Sequence, residues 1–238
     1  MEKESIILIP TLNERKNLEK LIPAIFELMP EISVLIVDDN SSDGTGELVK
    51  NLQNIHKNLF FLCRTENFGY GKACIEGFNE IRRLAMSSNF VEFKYVVTMD
   101  ADFSHDYRVI PEMLKYLDKY DVVIGSRYIA GGRIENWKLH RRILSKVANL
   151  YVRTILGLRI GDLTTGFNIY RKEILLRVNL SDIKSDGYAF LVELKYKLSI
   201  LGAKLLEYPI VFYERREGQS KMSSKIIWES VKLPWKLL

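Results

Sequence analysis

The chain has 238 residues, 47% of them hydrophobic, enough for one large α/β domain or, alternatively, two small ones. Its net charge of +5 suits phosphate ligands or an anionic membrane surface but is too weak to indicate nucleic-acid binding. The two cysteines have no zinc-site spacing and predict a reduced intracellular protein, and no apolar run approaches the roughly 18 residues of a membrane-spanning helix.

Short apolar runs alternate with amphipathic segments through the first half of the chain. Ser5–Ile9 predicts a first strand, and apolar residues at helical spacing from Leu18 to Met29 predict a helix after it. The later runs predict strands at Ser33–Val37, Leu59–Cys63, Tyr95–Met99 and Asp121–Arg127, with helices between them. Strands and helices that alternate in this way indicate a mostly parallel sheet with right-handed crossovers.

The alternation stops after Arg127. Lys138–Ile155 predicts an amphipathic helix with a basic face, which either lies on a membrane or packs on the core. A further helix is predicted at Ser185–Leu201 and a strand at Leu205–Tyr213, where Pro209 indicates an edge position or a bulge.

The C-terminal segment Ile226–Leu238 carries two tryptophans and two lysines. Such a segment suits a membrane interface or a partner subunit. We therefore predict one folded domain over residues 1–225 and an amphipathic segment over residues 226–238.

Two aspartates follow the strand that is predicted to end at Met99. Because ligands of open α/β sheets lie at the carboxyl ends of the strands, Asp100 and Asp102 would stand at the rim of a crevice. Two carboxylates this close repel each other unless a cation lies between them, and hard divalent cations prefer oxygen ligands. The pair predicts a metal site; the alternative is that one aspartate caps a turn and the other is solvated.

Charged residues also follow the other predicted strands. Glu14 follows the first strand, Asp38 and Asp39 follow the second, and Arg127 ends the fifth. Carboxylates with a metal, together with an arginine, would stabilise the negative charge on a departing diphosphate. Asp39 would hydrogen-bond a ribose or a base, as the acid of dinucleotide-binding folds does. For residues 38–43 the alternative is plain turn and cap chemistry.

Several other classes of site are excluded by their missing motifs. Gly69-Tyr70-Gly71 lacks the third glycine of the dinucleotide fingerprint, and no phosphate-binding loop of the GxxxxGK type occurs. The three histidines are scattered. His105, just past the aspartate pair, would either reach a substrate or be a solvated loop residue.

Four motifs together resemble the family 2 glycosyltransferases with the GT-A fold: Ile9–Glu14, Val37–Ser41, Met99–His105 and Gly125–Tyr128. The similarity is closest to the dolichol- or polyprenol-phosphate mannosyltransferases. Two further segments of this chain, Asp162–Phe167 and Arg215–Lys221, resemble the later motifs of that subfamily. The resemblance covers nearly the whole chain. It implies a single GT-A domain over residues 1–225, with a mostly parallel, Rossmann-like central sheet flanked by helices.

The resemblance also implies a set of site residues. Mg²⁺ or Mn²⁺ would bind at Asp100 and Asp102 with Ser104 near the ion, and Asp100, Asp102 and Arg127 would be catalytic. A nucleotide-sugar donor, with GDP-mannose favoured, would contact Pro10, Leu12, Glu14, Val37, Asp39, Asp100, Ala101, Asp102, Arg127, Arg215 and Lys221. Leu12 replaces a tyrosine of many relatives, and Ser104 replaces a glutamine of some, so Ser104 would bind the ion directly or through water.

The implied acceptor is a dolichyl or polyprenyl phosphate. A phosphate monoester is mostly a dianion at neutral pH and needs no strong base to attack the sugar with inversion. Arg133, Arg141 and Arg142 are candidates to hold it. The protein would then be peripheral on the cytoplasmic face of a membrane, with or without a small membrane-anchoring subunit.

Three alternatives remain from the sequence. One is a family 2 enzyme that uses another donor, such as UDP-glucose, or a glycan or glycolipid hydroxyl as acceptor. Another is a nucleotidyltransferase, which is disfavoured because its usual glycine-rich loop is missing near the first strand. The third is a non-catalytic subunit that binds a nucleotide sugar.

Overall fold

The computed structural model describes residues 1–66, 68–86, 93–214 and 232–238. Its strands are β1 Ser5–Thr11, β2 Ser33–Asp38, β3 Leu59–Cys63, β4 Tyr95–Thr98, β5 Val122–Ser126, β6 Arg133–Ile134, β7 Asn168–Arg171, β8 Leu205–Pro209 and β9 Val211–Phe212. Its α-helices are α1 Arg15–Leu28, α2 Thr45–Ile55, α3 Tyr70–Met86, α4 Ile110–Lys115, α5 Leu139–Ile155, α6 Lys172–Arg177, α7 Gly187–Ile200 and a short helix over residues 232–237.

Seven of the described strands form one sheet in the order β3-β2-β1-β4-β7-β5-β8, and β6 pairs with β9 in a separate small sheet. Every pair in the large sheet is parallel except the two pairs of β7, which runs antiparallel to both β4 and β5. Since β4 and β5 are both opposite to β7, they run in the direction of β1 and β2. The carboxyl ends of these strands therefore lie along one edge of the sheet, which confirms the predicted mostly parallel α/β fold.

The sheet is covered by helices on both faces, which is why β1 and β2 are almost continuously apolar. Alternate residues of β1 point to opposite sides: Ile6 and Leu8 pack with the side chains of α3 and α7, whereas Ile7 and Ile9 pack with those of α1 and α4. None of the helices in the described ranges is both long enough and apolar enough to cross a membrane.

β1 continues two residues beyond the predicted end, through Pro10 to Thr11. Leu8 is opposite the last residue of β4, Thr98, and its carbonyl accepts the amide of Met99. The backbone groups of Pro10 point towards β4, as those of Leu8 do, but Pro10 lies past the end of β4. The missing N–H of the proline therefore costs no hydrogen bond between the two strands.

β8 is one of the two edge strands of the large sheet and ends at Pro209, which agrees with the edge position that the proline predicts. The chain then leaves this sheet, and β9 pairs with β6 instead. The predicted domain boundary between residues 225 and 226 lies outside the described residues. Of the C-terminal segment, Leu233 is buried in the core and Trp235 is largely exposed.

Candidate active site

The loops after β1 and β2 are tied together by Asp38. One oxygen of its carboxylate accepts hydrogen bonds from the hydroxyls of Thr11 (3.0 Å) and Ser41 (2.5 Å), and the other accepts the amide of Ser41 (2.9 Å). The Ser41 hydroxyl in turn accepts the amide of Asn13 (2.7 Å). Asp38 therefore stabilises the turn after β2, which is the alternative interpretation that the sequence offered for this residue.

Asp39 joins the end of β2 to the start of α3. Its carboxylate forms an ion pair with Arg64 and accepts the amide of Gly69 at 2.8 Å. Burial acts to lower the pKa of Arg64, but hydrogen bonds to Glu76 and Asp39 raise it above its ordinary value. The contact of Asp39 with the donor stays a prediction. Its carboxylate would have to bind the donor while it also binds the Arg64 guanidinium and the Gly69 amide.

The other predicted donor-binding residues of the first two loops differ in exposure. Pro10, Leu12 and Glu14 are partly exposed, and the Glu14 carboxylate accepts a hydrogen bond from Asn17 in α1 at 2.7 Å. Val37 is buried in the core, so its side chain is directed away from solvent. A donor contact at Val37 would therefore be made by the backbone.

The aspartate pair lies in the loop after β4. The Asp100 side chain is about one third exposed (35%), whereas Asp102 is buried and accepts the amide of Ser104 at 3.0 Å. Phe103, between Asp102 and Ser104, has a φ of +61°, a conformation that is strained for a residue with a side chain and that concentrates at functional sites. Ala101 is buried in the core.

The Ser104 hydroxyl is the feature of this loop that tests the metal prediction. Among the described residues it is buried and has no hydrogen-bond partner, which is costly for a polar group. No group of three or more histidine, cysteine or acidic side chains arranged to hold a metal ion occurs in the described ranges. Mg²⁺ and Mn²⁺ favour oxygen ligands, and Mg²⁺ is often bound by one or two carboxylates with waters and substrate phosphates. The carboxylates of Asp100 and Asp102 with the Ser104 hydroxyl therefore fit such an ion.

His105 is buried, so its interpretation as a solvated loop residue is wrong, and a contact with substrate stays a prediction. Its Nδ1 accepts the amide of Asp100 (3.1 Å), and its ring stacks on Phe167 with a centroid distance of 5.1 Å. Burial lowers the pKa of His105 to about 4, so the ring is neutral near pH 7. His105 therefore fixes the backbone of the aspartate loop instead of reaching into solvent.

Gly166 lies against the Asp100 carboxylate. A β-carbon added there would be 3.4 Å from Asp100 Oδ1 and 2.5 Å from the Tyr70 hydroxyl oxygen, so glycine is required by the space. The Gly166 carbonyl accepts the Thr98 hydroxyl at 2.7 Å. Burial raises the pKa of Tyr70 well above its ordinary value, so its hydroxyl stays protonated beside the carboxylate.

Arg127 is buried and forms a two-pronged ion pair with Asp162. Nε and Nη2 each donate to one carboxylate oxygen at 2.7 Å, and the Arg127 amide also donates to Asp162 at 3.0 Å. Nη2 also reaches the Thr164 hydroxyl at 2.8 Å. Burial acts to raise the pKa of Asp162, but the charge and hydrogen bonds of Arg127 hold it below its usual range. Arg127 is therefore held inside the protein by Asp162 and Thr164, and the predicted phosphate contact would use its remaining N–H groups.

The remaining predicted arginines are less enclosed. Arg133 pairs with Glu135 at 2.9 Å, and Arg141 pairs with Glu214 at 3.2 Å while its guanidinium lies 3.8 Å from the centre of the Trp137 ring.

The other two predicted phosphate contacts, Arg215 and Lys221, lie outside the described residues.

Residues 6–178 match the family model described as glycosyl transferase family 2. The chain belongs to this family. It is 38% identical to the polyprenol monophosphomannose synthase of Mycolicibacterium smegmatis, over 96% of this chain and 84% of that protein. It is 37% identical to the undecaprenyl-phosphate mannosyltransferase of Micrococcus luteus, over 95% of this chain and 90% of that protein.

The fold of this glycosyltransferase is shared with solved structures of distant sequence. The glucosyl-3-phosphoglycerate synthase of Mycobacterium tuberculosis, crystallised with Mn²⁺, UDP and phosphoglyceric acid, has a TM-score of 0.68 at 16% identity, covering 98% of this chain and 78% of that one. The same enzyme with Mg²⁺ and UDP has a TM-score of 0.64. At this identity the likeness concerns the fold alone.

Several residues of this site are not evident from the sequence motifs. They are Arg64 and Lys195, and Asp162 in its pairing with Arg127, because the contacts of each join segments that are distant in the sequence. One signal is present in α7: Glu193 and Lys195 interrupt an otherwise apolar run, and both are buried. Charged residues are rarely fully buried unless they are paired, so this pattern indicates a polar network under the site.

Replacing Asp162 by asparagine leaves the Arg127 charge buried without its counter-ion. We expect Asp162→Asn to lower the free energy of unfolding by about 3–5 kcal/mol, as measured by denaturant titration. The matched control is Asp106→Asn, which removes the charge from the pair with Arg108, whose side chain is 66% exposed, and should cost less than about 1 kcal/mol. Equal losses in the two variants would contradict an anchoring role for the buried pair.

Replacing Gly166 by alanine tests the packing around Asp100. The added methyl group collides with the Tyr70 hydroxyl, so we expect Gly166→Ala to displace the Asp100 loop and lower glycosyl transfer at least about tenfold. The double variant Gly166→Ala with Tyr70→Phe removes the oxygen that collides and should recover most of the activity. If the double variant is no more active than Gly166→Ala, the hydroxyl is not the source of the conflict.

Proposed function

We propose that the protein transfers mannose from GDP-mannose to a dolichyl or polyprenyl phosphate, with inversion at the anomeric carbon and with Mg²⁺ or Mn²⁺ bound. The observation that carries the proposal is the identity of 37–38% to two relatives named for polyprenol-phosphate mannose chemistry, over at least 95% of the chain. The geometry supports it because the oxygen ligands for a cation, in the loop after β4, and the buried guanidinium of Arg127, after β5, lie along the same edge of the sheet.

Asp100 and Asp102, with the Ser104 hydroxyl, would hold the divalent ion. When bound, the ion supplies positive charge that stabilises the departing nucleoside diphosphate. The loops after β1 and β2, held together through Asp38, form the donor-binding side of the edge. The neighbouring carboxylate of Asp39, fixed by Arg64, is positioned to accept a hydrogen bond from the nucleoside.

The acceptor side needs cationic groups more than it needs a base. The phosphate dianion is already the nucleophile, which agrees with His105 being neutral, buried and engaged with the Asp100 amide. The Nη1 group of Arg127, together with Arg141 and Arg142, supplies donors for the phosphate oxygens. Attack from this side, in line with the departing diphosphate, inverts the anomeric configuration.

Variants of the aspartate pair test the proposed site. We expect Asp100→Ala and Asp102→Ala each to lower mannosyl transfer to polyprenyl phosphate at least about 100-fold, because each removes a carboxylate ligand of the ion. EDTA should abolish transfer by the wild type, and added Mn²⁺ should restore it. Asp106→Ala, in the same loop region but paired with Arg108, should stay within about twofold of wild type. Near-normal transfer by Asp100→Ala and Asp102→Ala would contradict the metal site.

The helix α5 is proposed to lie on the membrane that carries the acceptor. Five apolar residues of α5 are each more than half exposed, so the core-packed alternative is wrong for this face: Leu139, Ile143, Leu144, Val147 and Leu150. Basic residues flank them: Arg141, Arg142, Lys146 and Arg153. Anionic lipids are concentrated in the cytoplasmic leaflet, so we place the protein peripherally on that face. At the other end of α5, the Trp235 indole donates to the Tyr151 hydroxyl at 2.9 Å.

Serine substitutions on α5 test this contact. The triple variant Leu139→Ser, Ile143→Ser and Leu144→Ser should bind anionic phospholipid vesicles at least about tenfold more weakly in a sedimentation assay, because apolar side chains drive insertion. A matched triple variant replaces exposed apolar residues at the ends of other helices by serine, namely Ile55, Leu176 and Ile200, and should bind like wild type. Equal binding by the two triple variants would contradict the assignment of this face.

A further inference from the structure

Lys195 of α7 is completely buried although it carries an ionisable ammonium group. Its Nζ donates to the backbone carbonyls of Leu163 (3.1 Å) and Thr165 (2.9 Å). Burial lowers the pKa of Lys195 to about 7, so keeping this residue here is energetically costly. A lysine is rarely placed in such an environment without a partner that requires it, and the proposed reaction does not use its proton.

Both carbonyls belong to the loop Gly161–Phe167, which we call the crevice loop. This loop contacts three groups of the site in succession. Asp162 holds the Arg127 guanidinium, Gly166 packs against the Asp100 carboxylate, and Phe167 stacks on His105, the ring that accepts the Asp100 amide. The position of the crevice loop therefore sets the spacing between the donor side and the acceptor side of the edge.

Side chains from other elements fix the crevice loop by accepting hydrogen bonds from its amides and donating to its carbonyls. The Glu207 carboxylate accepts the amides of Gly161 (2.8 Å) and Asp162 (3.1 Å), and the Asn149 side chain accepts the amide of Leu163 (2.7 Å). Lys195 supplies the opposite polarity by donating to carbonyls. The charges that influence it are the carboxylates of Asp162 and Glu207 and the guanidinium of Arg127. Nζ of Lys195 thus donates to two carbonyls, and its protonated form adds positive charge near Asp162.

We propose that Lys195 is a positioning residue for the transfer reaction. By holding the carbonyls of Leu163 and Thr165 it fixes the crevice loop, so that Gly166 stays against Asp100 and Asp162 stays paired with Arg127. An apolar side chain of the same length would remove this donor from the buried Leu163 carbonyl and leave the Thr165 carbonyl with the Asn168 side-chain amide alone, at 3.1 Å. This inference rests on the proposed function only for the identity of the reaction; the loop geometry is independent of it.

The test compares Lys195→Met with Lys197→Met. Lys197 lies on the same helix two residues later but is partly exposed, with its Nζ 3.8 Å from Glu193. Per folded molecule, we expect Lys195→Met to bind GDP with Mn²⁺ at least about fivefold more weakly and to lower kcat at least about tenfold. Hydrogen exchange of the peptide covering residues 161–167 should become faster. Lys197→Met should match wild type in all three measurements.

The outcomes separate the inference from the proposed function. A folded Lys195→Met protein with wild-type GDP–Mn²⁺ affinity, kcat and loop exchange would overturn the positioning role. If Lys195→Met does not fold, Lys195→Gln keeps an amide donor, and a folded Lys195→Gln with wild-type values for all three would overturn it equally. Failure of the wild type to glycosylate polyprenyl phosphate would instead contradict the proposed function, while the exchange comparison still decides the role of Lys195.

Discussion

The ion pair between Arg127 and Asp162 is the interaction on which the geometry of the site depends. Burying two charges costs several kcal/mol for each unless their partners are complete. Here the backbone amide of Arg127 and the Thr164 hydroxyl add to the two guanidinium contacts. The pair ties the end of β5 to the chain that enters β7, and β7 lies between β4 and β5. The strand leading to Asp100 and the strand leading to Arg127 are thereby held at a fixed separation.

Some carboxylates along the sheet edge hold the loops in place, and others are available to bind a cation. Asp38 and Asp39 hold the loops after β1 and β2 through hydroxyls, amides and Arg64, so their carboxylates are largely compensated within the protein. Asp100 is the more exposed carboxylate of the aspartate loop, and beside it the Ser104 hydroxyl is buried without a described partner. A divalent cation would balance this excess of oxygen ligands.

Much of the fold could be predicted because buried parallel strands are locally apolar. The predicted bounds of β3 match the observed Leu59–Cys63, and the acidic residues after β1, β2 and β4 lie at one edge of the sheet, as their positions after these strands predict. The antiparallel direction of β7 could not be predicted, since the direction of a strand depends on its partners and not on its own sequence. His105 was misjudged for a similar reason: the rings of Phe167 and Phe212 that bury it come from distant segments. The charge of Lys195 within the apolar run of α7 indicates a buried polar network, but its two carbonyl partners come from a distant loop and could not be predicted.

The central claim is the transfer of mannose to a lipid phosphate, and product analysis tests it most directly. Purified protein would be incubated with Mn²⁺, a short polyprenyl phosphate and either GDP-mannose or UDP-glucose, and the lipid product identified by mass spectrometry and anomeric NMR. The account predicts a mannosyl phosphoryl polyprenol from GDP-mannose alone, with inverted configuration and complete dependence on the metal. Transfer only from UDP-glucose, transfer only to a glycan hydroxyl, or tight donor binding without any product would contradict it.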